Sequence, residues 1–184
     1  MFFSGWKVDQ VLKDQCHRCV MVGAPHTSNW DFVFARAAFE VMKLPVRFTI
    51  KKEWIESPLG WLMKALGAIA VDRSSHDGEK GHVSLVDGMV RLFDQEKALV
   101  VLVTPEGTRN RVENWKTGFY YVAKNAGVPI ALGYMDYKKK VAGIGKVIWP
   151  TDDMEADMKK IMAFYQTITP CFPEKFSIDV RFRP

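Results

Sequence analysis

Cysteine is scarce in this 184-residue chain, and what there is does not pair up. Only Cys16, Cys19 and Cys171 occur, an odd count that does not fit a disulfide framework. Cys16-His17-Arg18-Cys19 has C-x-x-C spacing, but no second pair completes a zinc site. A thioredoxin-like redox role wants a helix start at the first cysteine, whereas Cys19 leads into a strand pattern. Long hydrophobic runs are also lacking. The longest, Leu59 to Val71, is broken by Gly60, Lys64 and Gly67, well short of the ~20 apolar residues a membrane span needs. The apolar opening Met1 to Trp6 meets Lys7 and Asp9 too soon for a signal peptide. No internal repeat, low-complexity stretch or linker divides the chain. The expectation is therefore one domain over residues 1–184, cytoplasmic, and soluble or lying on a membrane.

The composition is that of a globular protein with a real core, 48% hydrophobic and 26% charged. Net charge is +5, which suits an acidic partner: a membrane surface, an acidic carrier protein, a phosphorylated substrate or nucleic acid. The Lys and Arg residues are scattered and lack the interleaved aromatics of common RNA-binding folds, so nucleic acid is the least favoured of these.

Short β-rich runs alternate with helical patterns. Strands are predicted at Val20–Gly23, Val46–Ile50, Ala68–Val71, Leu99–Val103 and Ile130–Tyr134, and helices at Asn29–Lys43, Gly78–Phe93 and Gly118–Ala126. Val141–Trp149 is expected to pair with Ile130–Tyr134 as a hairpin around Lys138-Lys139-Lys140. A late amphipathic helix, Asp152–Ile168, and a last edge strand, Phe176–Val180, complete the pattern. Such alternation predicts an α/β fold, a mixed, mostly parallel sheet flanked by helices on both faces. In such sheets ligands bind beyond the carboxyl ends of the strands. The helix Asn29–Lys43 is apolar almost all round, the pattern of core burial or of a face turned to an apolar ligand or membrane.

At the end of the first predicted strand stand His26 and Asp31. A histidine held by a carboxylate is the usual base for taking a proton from a hydroxyl near neutral pH. The spacing occurs twice, again at His82 and Asp87. That second copy lies in a helical pattern, where five residues turn about 500° and leave the side chains about 140° apart. His26 lies instead at a strand-to-helix junction. With Ser28 as N-cap, Asp31 falls at N3, where a carboxylate reaches back over the first turn toward His26. A capping aspartate beside an incidental loop histidine fits the same residues.

Two further strand ends carry polar residues: Asp72-Arg73, and Glu106 with Arg109. Gly107 frees the backbone for a tight turn or close approach. Arg109 offers a planar fork for phosphate oxygens, and Lys116 precedes a helix start at Gly118. Arg73, Arg109 and Lys116 together suit one phosphate. Each alone also suits a structural ion pair with Asp72, Glu106 or Glu113.

These residues resemble the motifs of the glycerol-phosphate and lysophosphatidic acid acyltransferases. His26-Thr27-Ser28-Asn29-Trp30-Asp31 matches the H-x4-D block, and Gly67 to Arg73 is similar to the G-x-I-x-x-D-R block. Pro105-Glu106-Gly107-Thr108-Arg109 matches the P-E-G-T-R block, with Trp115-Lys116-Thr117-Gly118 similar to the aromatic-Lys-x-Gly that follows. Val128-Pro129-Ile130 resembles the V-P-I block, so the motif-bearing part spans about residues 20–135. The resemblance implies the fold of those enzymes. It also implies transfer of a fatty acyl group from acyl-CoA or acyl-ACP to the hydroxyl of a lysophosphatidate or glycerol-phosphate-like acceptor. His26 would be the general base and Asp31 its orienting partner. Glu106, Gly107, Thr108 and Arg109 would bind the acceptor's phosphate region, assisted by Arg73 and Lys116. No metal or cofactor is implied beyond the thioester co-substrate.

No G-x-S-x-G elbow supplies a nucleophile, which favours direct transfer over an acyl-enzyme, and Ser28 reads better as a cap. A fatty substrate implies peripheral contact with a phospholipid surface, at the inner face of the cytoplasmic membrane. Met1–Lys7, Lys51–Trp54 and Pro58–Lys64 combine Trp, apolar and Lys residues as interfacial segments do. Trp61, Leu62 and Leu66 suit core packing equally. Three other readings stay open: acyl transfer to a lipidated amino acid or other non-phosphate lipid, a thioester or phosphoester hydrolase, and a non-catalytic basic module binding membrane or RNA.

Overall fold

The computed structural model describes residues 5–51, 56–58, 60–65, 67–71 and 85–184. Its strands are β1 (Lys7–Asp9), β2 (Arg18–Gly23), β3 (Val46–Lys51), β4 (Ala68–Val71), β5 (Leu99–Val103), β6 (Ile130–Asp136) and β7 (Val141–Ile148). Its α-helices are α1 (Trp30–Met42), α2 (Gly60–Ala65), α3 (Leu85–Gln95), α4 (Gly118–Asn125) and α5 (Met154–Tyr165). The strands form one sheet in the order β1-β7-β6-β2-β5-β3-β4. Every pairing is parallel except the β6–β7 hairpin, so the sheet is mixed and mostly parallel, as the sequence implied.

Central β2 is buried on both sides, as a strand covered by helices on two faces must be. Its alternation divides the core. Val20 and Val22 face a cluster built with Phe93 of α3, Phe119 and Val122 of α4, and Met158 and Ile161 of α5. Cys19 and Met21 face the other cluster, with Ala38, Phe39 and Met42 of α1 and with Trp6. Cys16 and Cys19 are buried free thiols in that second cluster.

Several boundaries differ from the sequence reading. Helix α1 starts at Trp30 with Asn29 at the N-cap; Ser28 Oγ, the expected cap, accepts the Trp30 N–H at 3.2 Å. The C-terminal run Phe176–Val180 is not a strand. It is fastened to the loop after β5 instead: the Val180 N–H bonds Glu113 O, and the Asp179 carboxylate accepts the Trp115 N–H at 2.9 Å. The sheet's edges are instead β1, which pairs with β7 in parallel, and β4. Of the expected helix Gly78–Phe93, residues 78–84, His82 among them, lie outside the described residues. The segments Met1–Ser4 and Lys52–Ile55, with Leu59 and Leu66, lie outside them too.

Register places the site. Val22 pairs with Val103, and Gly23 with Gly133. Parallel strands in this register deliver three loops to one edge: His26 just past β2, Glu106 just past β5 and Tyr137 just past β6.

Candidate active site

Nδ1 of His26 stands 3.3 Å from Oδ2 of Asp31. The same oxygen accepts the backbone N–H groups of Thr27 and Ser28, each at 2.8 Å. Oδ1 accepts the Tyr137 hydroxyl at 2.6 Å. Burial alone would raise the pKa of Asp31, but hydrogen bonds from His26, Tyr137, Ser28 and Thr27 outweigh it and hold the carboxyl below its ordinary value. Asp31 is therefore an ionised, fully bonded group with a 4% exposed side chain, and His26 beside it remains 23% exposed. With Nδ1 turned to Asp31, Nε2 is the imidazole nitrogen left for a substrate proton. The Asp31 bonds to Thr27 and Ser28 N–H fasten the turn ahead of Asn29, the N-cap, rather than capping the helix itself, and the same oxygen stands beside His26.

Glu106 occupies an unexpected place. It is buried beneath the His26 loop, where Oε1 accepts the His26 backbone N–H at 3.0 Å. Its Oε2 is buried without a hydrogen-bond partner. Burial pushes its carboxyl up to about 7, against the opposing pull of the His26 N–H. Glu106 thus supports the His26 loop from below and is not among the residues that line the cavity, unlike the following Gly107, Thr108 and Arg109.

Gly107 has φ +68, a backbone state that favours glycine. A Cβ there would come within 3.2 Å of Lys116 Cε and 3.3 Å of its Nζ. The loop is cinched by Gly107 N–H to Thr104 O at 3.0 Å and Lys116 N–H to Pro105 O at 2.9 Å. Trp115, next to Lys116, is buried and clamped by the C-terminal segment: its Nε1–H donates to Ser177 O, and Arg181 Nη2 donates to its carbonyl. Arg73 lies outside the described residues.

These loops close over a cavity of about 1160 Å³. One end is polar, with His26, Thr108 and Arg109. From there the lining runs between α1 and the sheet past Ala38, Phe39 and Met42 to Val46. Small residues on both walls, Gly23 and Gly133 on the sheet and Ala35 and Ala38 on α1, leave the gap open. Phe172 and Lys175 also line it, and the sequence reading missed both. The Phe172 N–H donates to Thr27 Oγ1 at 3.2 Å, and the Lys175 ammonium lies 4.6 Å from the Phe172 ring centre. No local motif marks them. Tyr137 was missed as well, although it stands at a strand carboxyl end, the place that singled out the other site residues.

The fold is a mixed, mostly parallel α/β sheet whose carboxyl edge brings His26 and Asp31 together beside a half-apolar cavity, where ligands bind in sheets of this kind. The family model described as Acyltransferase matches residues 9–131. The chain therefore belongs to that family, the one of the glycerol-phosphate and lysophosphatidic acid acyltransferases, and is an acyltransferase. No curated protein and no solved structure matches the chain.

Proposed function

We propose that this acyltransferase moves a fatty acyl group from acyl-CoA or acyl-ACP to the hydroxyl of a lysophosphatidate or glycerol-phosphate-like acceptor. The observation that carries the reading is the 3.3 Å contact of His26 with Asp31 on a cavity that also runs past the apolar residues Ala38, Phe39 and Met42 of α1. Nε2 of His26 takes the acceptor hydroxyl proton as that oxygen attacks the thioester carbonyl. Asp31 fixes the tautomer and stabilises the imidazolium that forms. The tetrahedral intermediate expels the thiolate, which takes the proton back, so the base is regenerated without an acyl-enzyme. The thioester is a co-substrate, and the step uses no metal or cofactor.

Gly107, Thr108 and Arg109 bind the acceptor's phosphate, with Arg73 and Lys116 assisting and Glu106 holding the loop beneath. The acyl chain lies between α1 and the sheet. Met42 is roughly 16 Å of helix beyond Asp31, which gives an apolar bed of lipid-chain length.

Access to lipid is peripheral, at the inner face of the cytoplasmic membrane. Trp30, Val33 and Val41 lie exposed on the outer side of α1, and Trp61 of α2 is 71% exposed. Trp6, from the opening segment, is instead buried against Phe34. Among the described residues no helix is long and apolar enough to cross a membrane. Co-sedimentation with anionic vesicles at low salt tests this contact, and absence of binding would remove it.

Thioester consumption with acyl-CoA and acyl-ACP, against glycerol phosphate, lysophosphatidate and non-phosphorylated hydroxy and amino acceptors, tests the assignment. Transfer restricted to phosphate-bearing acceptors is expected. Turnover confined to a lipidated amino acid would change the acceptor, and turnover without any acceptor would make the protein a hydrolase.

A further inference from the structure

Tyr137 lies beyond the residues that carry the family match, in the turn between β6 and β7. Its hydroxyl makes the shortest bond that Asp31 receives, 2.6 Å to Oδ1, and this is the oxygen His26 does not use. We propose that Tyr137 is a positioning residue which, by holding that second oxygen, limits how strongly Asp31 attracts a proton onto His26. The proposal rests on the base role assigned to His26 above.

Packing alone does not require the hydroxyl. The Tyr137 ring meets Trp6 edge-on at 4.9 Å and Phe34 at 6.4 Å, and a phenylalanine would fill the same space. The oxygen contributes something the ring does not: one of the four donors that satisfy a buried carboxylate. Burial and the bond to Asp31 push the hydroxyl's own pKa up, so it stays protonated as a donor. Among the described residues, Glu106 from the loop after β5 and Cys171 from the C-terminal segment also act on the cluster, and the cations of Arg36, Arg109 and Lys175 line the same cavity as His26.

The direction follows from charge. Without the hydroxyl, fewer donors share the Asp31 charge, so it attracts the imidazolium proton more strongly. A larger share of His26 is then protonated and idle at a given pH. Removing a hydrogen bond to a charged group should lower kcat/KM roughly tenfold at about pH 6.5 and much less at about pH 8.5. The acid limb of the profile moves to higher pH, with the KM for the donor unchanged.

The experiment compares wild type, Tyr137→Phe and a chain carrying 3-fluorotyrosine at position 137, whose more acidic hydroxyl is a stronger donor. Two readouts are taken: the pH profile of acyl transfer, and the pH dependence of His26 carbethoxylation by diethylpyrocarbonate, resolved by peptide mass spectrometry. The expected result is an upward shift of both for Tyr137→Phe and a downward shift for fluorotyrosine, which keeps the fold if the phenylalanine variant does not. Unchanged midpoints in both substituted proteins would overturn the proposal and leave Tyr137 a packing residue. Transfer that survives His26→Ala would sink the base reading separately, while the carbethoxylation readout would still decide what Tyr137 does to the ring.

Discussion

The carboxylate of Glu106 reaches from the end of β5 to accept the backbone N–H of His26 at 3.0 Å, and its other oxygen is buried without a partner. The folded protein therefore holds a carboxyl at about 7 that would otherwise sit at 4.5. A raised carboxyl pKa means the folded state binds the proton more tightly than the unfolded state. Stability from this group is full below about pH 4.5, is lost as pH rises, and by about pH 7 amounts to a cost of about 3 kcal/mol. Glu106→Gln keeps an acceptor for His26 and removes the titration. Urea midpoints measured from pH 5 to pH 8 should fall less steeply in the variant, and parallel curves would show that Glu106 carries no such cost.

Asp31 has the opposite sign. Its pKa is held down, so its stabilisation is present above the unfolded value and is lost as pH falls through the folded one. Asp31→Asn should flatten the acid end of the stability curve, below about pH 4. It should also cost roughly 10²–10⁴ in kcat by leaving the imidazole wrongly oriented, with KM little changed. Steady-state kinetics separate the two parameters.

Arg109 lines the polar end of the cavity next to Gly107 and Thr108. Arg109→Ala should raise the KM for a phosphate-bearing acceptor at least roughly tenfold, the loss of a charge-assisted pair, and leave the donor KM unchanged. Equal effects with phosphorylated and non-phosphorylated acceptors would argue for the non-phosphate reading.

Ala38, buried on the inner side of α1, keeps the apolar bed open. Ala38→Leu should shift the preference for acyl donors toward shorter chains, at a stability cost of about 1–3 kcal/mol for overpacking. Ranking kcat/KM over a donor series checks it, and an unchanged ranking would place the chain elsewhere.

How much of this was legible beforehand depended on whether the signal was local. The junction at Pro25–Asp31 carries its own capping chemistry, so the His26–Asp31 contact could be argued from spacing and helix geometry. The β2, β3, β4 and β5 cores announced themselves as short apolar runs between turns. Glu106 was picked out by its motif, but its inward turn onto the His26 N–H was not, because a motif gives residue type and neighbourhood, not which way a carboxylate turns. Tyr137, Phe172 and Lys175 reach the site only through tertiary packing, more than a hundred residues from His26. The edge position of β1 and the non-strand course of residues 176–180 depend on partners far away in sequence: β1 lies against β7, and Asp179 holds the Trp115 N–H.

The central claim is that His26 removes the acceptor proton. Acyl transfer by wild type and His26→Ala, assayed side by side with acyl-CoA and acyl-ACP on proteins with matching melting curves, tests it most directly. The account predicts a fall of at least ~100-fold in kcat when the base is removed. Turnover retained in the folded variant would contradict it.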